Sequence, residues 1–340
     1  MAEHSDDRPR ARLRQLGLAV GGFPVGPTNS IVDVRGIRVG HTTLSDGHAT
    51  FSGATAIVAE GVSPARPLRA GLFVGNGHGK FVGATQVVEL GQIETPIVLT
   101  STLSTFRAAD AIVTWILRQY GRAIRSVNPV VGEINDSWLS DSDPRPVRAD
   151  HVLEAIDNAS AGPVPMGNVG GGTGACALGF KGGIGSSSRT VDLDGQGVTL
   201  GTLVQVNMDG HLRAFGRTVL PGDCDLPVAG PGLAAGSCVI VVGVDAPMDS
   251  NTLRRIAGRA VFALARVGAR FSHGSGDYAL AVSTSHAACP LNLTGPAAST
   301  AFEATMDMVE EAVLDALLSA RTVRSDNGHI AGALPLASIT

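Results

Sequence analysis

Residues 221–247 read PGDCDLPVAGPGLAAGSCVIVVGVDAP, and no other stretch restricts the possible folds as much. The first part is rich in Pro and Gly and shows no hydrophobic periodicity, so it is a connection. The second, residues 238–244, is an unbroken apolar run dominated by β-branched side chains. That pattern belongs to a strand covered on both faces. Gly236 and Ser237 stand where the loop gives way to this strand.

The 340 residues suffice for one large α/β domain or two smaller ones. Hydrophobic residues make up 44% of the chain but aromatic ones only 4%, so Ala, Val, Leu and Ile must fill the core. Glycine, at 44 residues, is used roughly twice as often as the average of ~7%. It clusters between apolar runs, which indicates tight turns and close-packed strands. A net charge of −4 offers no electrostatic basis for binding nucleic acid or an anionic membrane. The apolar runs fall short of the ~20 residues of a membrane-spanning helix, and the mixed charges at the N-terminus do not read as a secretory signal. Cys176, Cys224, Cys238 and Cys289 form no CxxC pair, which points to reduced thiols in a cytoplasmic protein.

In order along the chain, residues 1–28 read as a leader arm ending in a turn. Strands are expected at 30–39, 54–59, 70–74, 96–100, 127–134, 199–207, 238–244 and 278–284. Helices are expected over 84–90, 106–121, 150–160, 253–264 and 300–322, where apolar residues such as Ala109, Ile112, Val113 and Ile116 recur at helical spacing. The polar TSTLST at 100–105 offers the second helix an N-cap. Residues 167–189 are too glycine-dense for a helix and suit two or more tight strands or bulges. Residues 208–210 read as a hairpin-type turn, and those after Arg324 as a tail. Several strands arrive consecutively and helices join later, an order that suits two sheets packed face to face with helices outside.

Several familiar chemistries do not fit. The loop GNGHGK at 75–80 fails the phosphate-loop spacing, and Phe81 stands where Ser or Thr would bind magnesium. It reads instead as a tight loop near a substrate. HAAC at 286–289 is one ligand pair without a second, and His41, His48 and His78 are scattered, so no metal is called for. There is no G-x-S-x-G elbow. A Ser237–His273–Asp277 triad has no spacing rule behind it, and His273 reads as a loop histidine. Ser237 has a different chemistry open to it. Its Oγ can attack the Gly236 carbonyl carbon in an N→O acyl shift, because glycine leaves that carbonyl sterically open. Hydrolysis of the resulting ester frees an α-amine that titrates near ~8 and can act as a base on the adjacent hydroxyl. Taken singly, Gly-Ser is an ordinary loop-to-strand boundary, Asn207 a turn cap, Ser275 a loop hydroxyl and Glu133 a solvated strand end.

The blocks RARLRQLGL, NSIVDVRGIRVGHTT, VGNGHGK, PVVGEIND, VGGGTGACALGFKGGIGSSSR, LVQVN, GSCVIVVGVDAP and SGDYALAVST change that reading through their order and spacing. Together they resemble the serine β-aminopeptidases, the DmpA-type self-processing L-aminopeptidase D-amidase/D-esterase family. The resemblance covers most of the chain. It implies a four-layer αββα sandwich, like the N-terminal nucleophile hydrolases in layering. It implies cleavage into 1–236 and 237–340, fragments that stay together and assemble as a homo-oligomer, a tetramer of processed heterodimers, without a cofactor. The nucleophile falls on Ser237, the oxyanion asparagine on Asn207, and the supporting serine and carboxylate on Ser275 and Asp277. The carboxylate near the substrate amine falls on Glu133, and Asn135 stands where the family leads one to expect Tyr.

The activity so implied is hydrolysis of amides, esters or short peptides with a free amino end, built on β-, D- or ordinary α-amino acids, through an acyl-enzyme on Ser237. A self-cleaving N-acyltransferase of the ornithine acetyltransferase kind shares the architecture, but the Ser nucleophile in place of Thr argues against it. A Gly-rich binding protein that never cuts is the reading outside catalysis.

Overall fold

A computed structural model describes residues 10–141, 143, 145–232, 236–291 and 293–340. In chain order the elements are β1 (Ile37–Ser45), β2 (Phe51–Ala59), β3 (Leu68–Gly77), α1 (Ala84–Leu90), β4 (Gln92–Ile93), β5 (Ile97–Ser101), α2 (Thr105–Tyr120) and β6 (Val130–Ile134). There follow α3 (Ala149–Asp157), a short pair β7 (Cys176–Ala177) and β8 (Phe180–Lys181), and a long pair β9 (Gly183–Leu193) and β10 (Gln196–Asn207). A small hairpin, β11 (Leu212–Ala214) and β12 (Arg217–Val219), precedes the Pro/Gly-rich connection. The chain then supplies β13 (Ser237–Val244), α4 (Ser250–Arg266), β14 (Gly276–Ser283), α5 (Gly295–Ser319) and a hairpin of β15 (Val323–Arg324) and β16 (Ile330–Ala331).

Two sheets dominate, one in the order β1-β2-β5-β6 and one in the order β4-β3-β14-β13-β10-β9. Their facing sides share a core that includes Ile57, Leu99, Leu203, Val239, Val241 and Leu280. On the far side of the smaller sheet, Ala56, Val98 and Val131 pack with Ile112 and Ile116 of α2 and Val152 and Ile156 of α3. On the far side of the larger one, Val204, Ile240 and Val242 pack with Leu253 and Ile256 of α4 and Met308, Ala312 and Val313 of α5. The layers therefore run helix, sheet, sheet, helix, the αββα sandwich expected. Alternate residues of β13 serve opposite layers: Val239 and Val241 face the other sheet, while Ile240 and Val242 face the helices. This is why its sequence shows no polar face.

Several expectations need correction. The first strand starts at Ile37 rather than residue 30, because Ile31–Asp33 form a 3-10 turn. The Asp33 carboxylate accepts the backbone N–H groups of Thr28 and Ser30 and curls the chain there. Helix α2 is entered through a second 3-10 turn, Thr102–Ser104, and the adjoining polar residues place no side-chain cap on it. Residues 208–210 do not fold β10 back on itself. Its two edges are already taken by β9 and β13, so the chain leaves to form the separate β11–β12 hairpin. The residues after Arg324 are no tail: β16 returns on β15 around Gly328, Ala331 and Leu334 are buried, and Ser325 Oγ donates to Leu139 O at 2.8 Å. The arm that ends near residue 28 is tied down from Arg10 onward: Arg10 donates to Leu318 O and Leu334 O, Arg12 pairs with Asp315 and Arg14 with Glu311, each at 2.7 Å.

Candidate active site

The antiparallel register of β10 on β13 sets Asn207 opposite Ser237, and the parallel register of β13 on β14 sets Ser237 opposite Gly276. On β3, Gly77 continues the line opposite Gly276. Directly opposite residues share a face of a sheet. One end of the larger sheet thus presents an amide, a hydroxyl and two glycines in a row. Val239, Val241 and Leu203 lie on that same face by the twofold alternation of strands, so the row opens toward the other sheet.

The Gly276 N–H reaches two acceptors, Gly236 O at 3.1 Å and Ser237 Oγ at 3.3 Å. The hydroxyl and the carbonyl before it therefore converge on a single donor. Gly236 packs against backbone: a Cβ added there would stand 2.9 Å from Asp209 N and 3.1 Å from Met208 Cα. The Asn207 side chain is held at both ends. Its Oδ1 accepts the Cys176 N–H at 2.9 Å, and its Nδ2 donates to Asn135 O at 3.2 Å. The Asn135 side chain turns the other way and accepts the Ser137 N–H at 3.1 Å, so what it offers the site is its carbonyl.

Ser275 and Asp277 flank Gly276, and Ser275 Oγ donates to Asp277 Oδ1 at 2.9 Å. Asp277 stands opposite Cys238, not opposite Ser237, and accepts the Cys238 backbone N–H. The pair thus holds β13 one residue beyond the hydroxyl rather than meeting the hydroxyl itself. Burial pushes the Asp277 carboxyl up to about 6, against the bonds from Ser275 and the Cys238 N–H. Its Oδ2 has no hydrogen-bond partner among the described residues.

Glu133 arrives from the smaller sheet. It is buried, and its Oε1 accepts the Lys80 N–H at 3.0 Å with Lys80 Nζ at 3.5 Å. Its Oε2 is without a partner among the described residues. The backbone of Gly79 bridges the gap between sheets: a Cβ there would stand 3.1 Å from Glu133 Oε1 and 3.4 Å from Gly276 Cα. The loop GNGHGK thereby brings a buried carboxylate beside the row. A cavity of about 400 Å³ lies against Cys176, Met208, Asp209 and Arg270, walled on another side by Val228 and Gly232 of the connection. A larger one, about 650 Å³, is lined by Arg213, Arg217, Arg266, Asp307 and Glu310 and touches none of these residues.

Ser237, Asn207, Ser275, Asp277, Glu133 and Asn135 meet in this region, and the His273 ring lies beside that of His78, centroids 6.1 Å apart. Sequence reasoning missed the Gly276 N–H, the Cys176 N–H and the Lys80 contact. The first two are main-chain groups that every residue type carries, so only register could reveal them.

The chain matches the model of peptidase family S58 over residues 29–331. It is 34% identical to the beta-peptidyl aminopeptidase BapA of Sphingosinicella microcystinivorans, with 98% of this chain and 92% of that protein covered. Among solved structures it is similar to a Burkholderia sp. beta-aminopeptidase (TM-score 0.87, 34% identity, 97% of each chain). It is also similar to the L-aminopeptidase D-Ala-esterase/amidase of Ochrobactrum anthropi (TM-score 0.85, 31% identity, 96% of each chain). That enzyme is described as a prototype for the serine aminopeptidases and a variant of the Ntn hydrolase fold.

Proposed function

The chain belongs to peptidase family S58 and is a hydrolytic aminopeptidase, and from that premise we propose that it first cleaves itself between Gly236 and Ser237 and then reuses the serine on substrates. The observation that carries this reading is the single N–H of Gly276 shared by Gly236 O and Ser237 Oγ. Ser237 Oγ attacks the Gly236 carbonyl carbon, and the oxygen that gains charge is the one already bonded to that N–H. The C–N bond to Ser237 then breaks, and its nitrogen takes up the proton released by the hydroxyl. Water hydrolyses the ester, leaving a Gly236 carboxylate and a free Ser237 α-amine.

In the second role the α-amine takes the proton of its own hydroxyl as Ser237 attacks a substrate carbonyl. Gly276 N–H and the Asn207 amide donate to the developing oxyanion. Glu133 Oε2, buried and unpaired among the described residues, suits the ammonium of a substrate with a free amino end. Asp277, with Ser275, anchors β13 through Cys238, the residue that follows the nucleophile. The substrates are short peptides, amides or esters that present such an ammonium next to the scissile carbonyl, acting in the cytoplasm. Intact-mass measurement of the purified protein beside Ser237→Ala tests the reading. The parent yields two fragments ending at 236 and starting at 237, and the variant one whole chain without hydrolase activity. A parent that hydrolyses amino-terminal amides while remaining whole defeats it.

A further inference from the structure

Behind the row lies a buried ammonium that the steps above do not use. Lys181, in β8, has no exposed surface. Its Nζ donates to Gly172 O at 3.2 Å, Ala175 O at 2.7 Å and Gly182 O at 2.9 Å. A lysine ammonium has three N–H donors, so all are committed to main-chain carbonyls. The ionisable groups that face it are Cys176 and Asp136, and Asp136 is occupied by Ser52 Oγ at 2.6 Å and Ser101 Oγ at 2.8 Å. No carboxylate pairs with it among the described residues. A buried cation without a counter-charge is costly to keep, and a neutral side chain would fill the same space. A role for the cage itself explains its presence.

The three carbonyls bracket the strand whose Cys176 N–H donates to Asn207 Oδ1. A side-chain amide has one acceptor end and one donor end. When the Cys176 N–H occupies Oδ1, Nδ2 is forced to the opposite side, where Asn135 O and the Ser237 row lie. We infer that Lys181 is a positioning residue for Asn207: by gathering the Gly172, Ala175 and Gly182 carbonyls it fixes the Cys176 N–H, and through it the way the Asn207 amide points. This rests on the reading of Asn207 as an oxyanion donor. Burial pushes the Lys181 ammonium down to about 8, so above that pH the cage loses one of its three donors. An ordinary α-amine titrates near ~8, and ionisation of the Ser237 amine acts in the opposite sense, since its neutral form is the base. The Cys176 thiol and the Tyr278 phenol are both raised from their ordinary values and stay neutral there.

The test compares wild type, Lys181→Met and Asn207→Ala, each followed by intact mass for self-cleavage, with kcat and KM of the processed fraction measured from about pH 6 to about pH 10. Wild-type kcat is expected to fall above about pH 8, with KM unchanged. Lys181→Met should lower kcat about tenfold at neutral pH, leave KM within about twofold and lack the alkaline fall. Asn207→Ala should lower kcat by about a hundredfold or more, as loss of an oxyanion donor does. If Asn207→Ala is impaired but Lys181→Met keeps both kcat and the alkaline fall, the inference is overturned and the reading of Asn207 stands. If Asn207→Ala is unimpaired, that reading itself fails. Should Lys181→Met not fold or not process, the wild-type profile decides alone, and a kcat that holds level up to about pH 10 overturns the inference.

Discussion

Asp277 shows how one residue's surroundings become a measurable property. The unfolded chain releases this proton near the ordinary value of 3.8, whereas the folded protein holds it to about 6 because burial disfavours the charge. Between those values the folded state binds more protons than the unfolded one, so this group's contribution to stability declines as pH rises through that window. Asp277→Asn removes the ionisation. The variant is expected to melt at a higher temperature than wild type at about pH 7.5, the gap closing toward about pH 4, while aminopeptidase activity falls. Thermal melts at the two pH values check this, and a lower melting temperature near neutrality contradicts it. At this scale the sequence nominates Ser237, Asn207, Ser275, Asp277 and Glu133 through the family's pattern, and the fold brings these side chains into one region. What escaped was the group that meets both Gly236 O and Ser237 Oγ, the Gly276 N–H. Its effect comes from a parallel register between strands that are apart in sequence, which no residue type announces.

The elements followed their local patterns wherever hydrophobic periodicity decided the matter, as in α2, α4, α5 and β13. They departed where side chains made bonds or contacts that periodicity does not register. Asp33 curls residues expected in a strand, and Ala331 and Leu334 draw a supposed tail into the body. Glycine density at 167–189 announced close approach without saying to what. One partner is α5: a Cβ on Gly185 of β9 would stand 1.9 Å from Ala312 O, so helix backbone rests on strand backbone. Gly185→Ala is therefore expected to cost about 1–3 kcal/mol of stability through overpacking, with urea denaturation as the measure. An unchanged midpoint would mean that α5 can retreat without loss.

At the scale of the whole molecule, the cut proposed at Ser237 would leave both pieces held by the same fold. In the larger sheet β14 and β13 lie between β3 and β10, which places strands of 237–340 inside a frame built by 1–236. The arm of the first piece is clamped onto α5 of the second through Arg12–Asp315 and Arg14–Glu311. The fragments are accordingly expected to co-elute on native size-exclusion chromatography and to part only in denaturant. Elution as two separate species would contradict this arrangement. Chain ends are ordinarily the loosest parts of a fold, fraying into solvent. Ser237 begins a strand that has a neighbour on each edge and a layer on each face, so severing the bond before it yields a terminus as immobile as the middle of a ladder. An amine created there needs no later ordering before it can work, and the scaffold has already met that entropic cost.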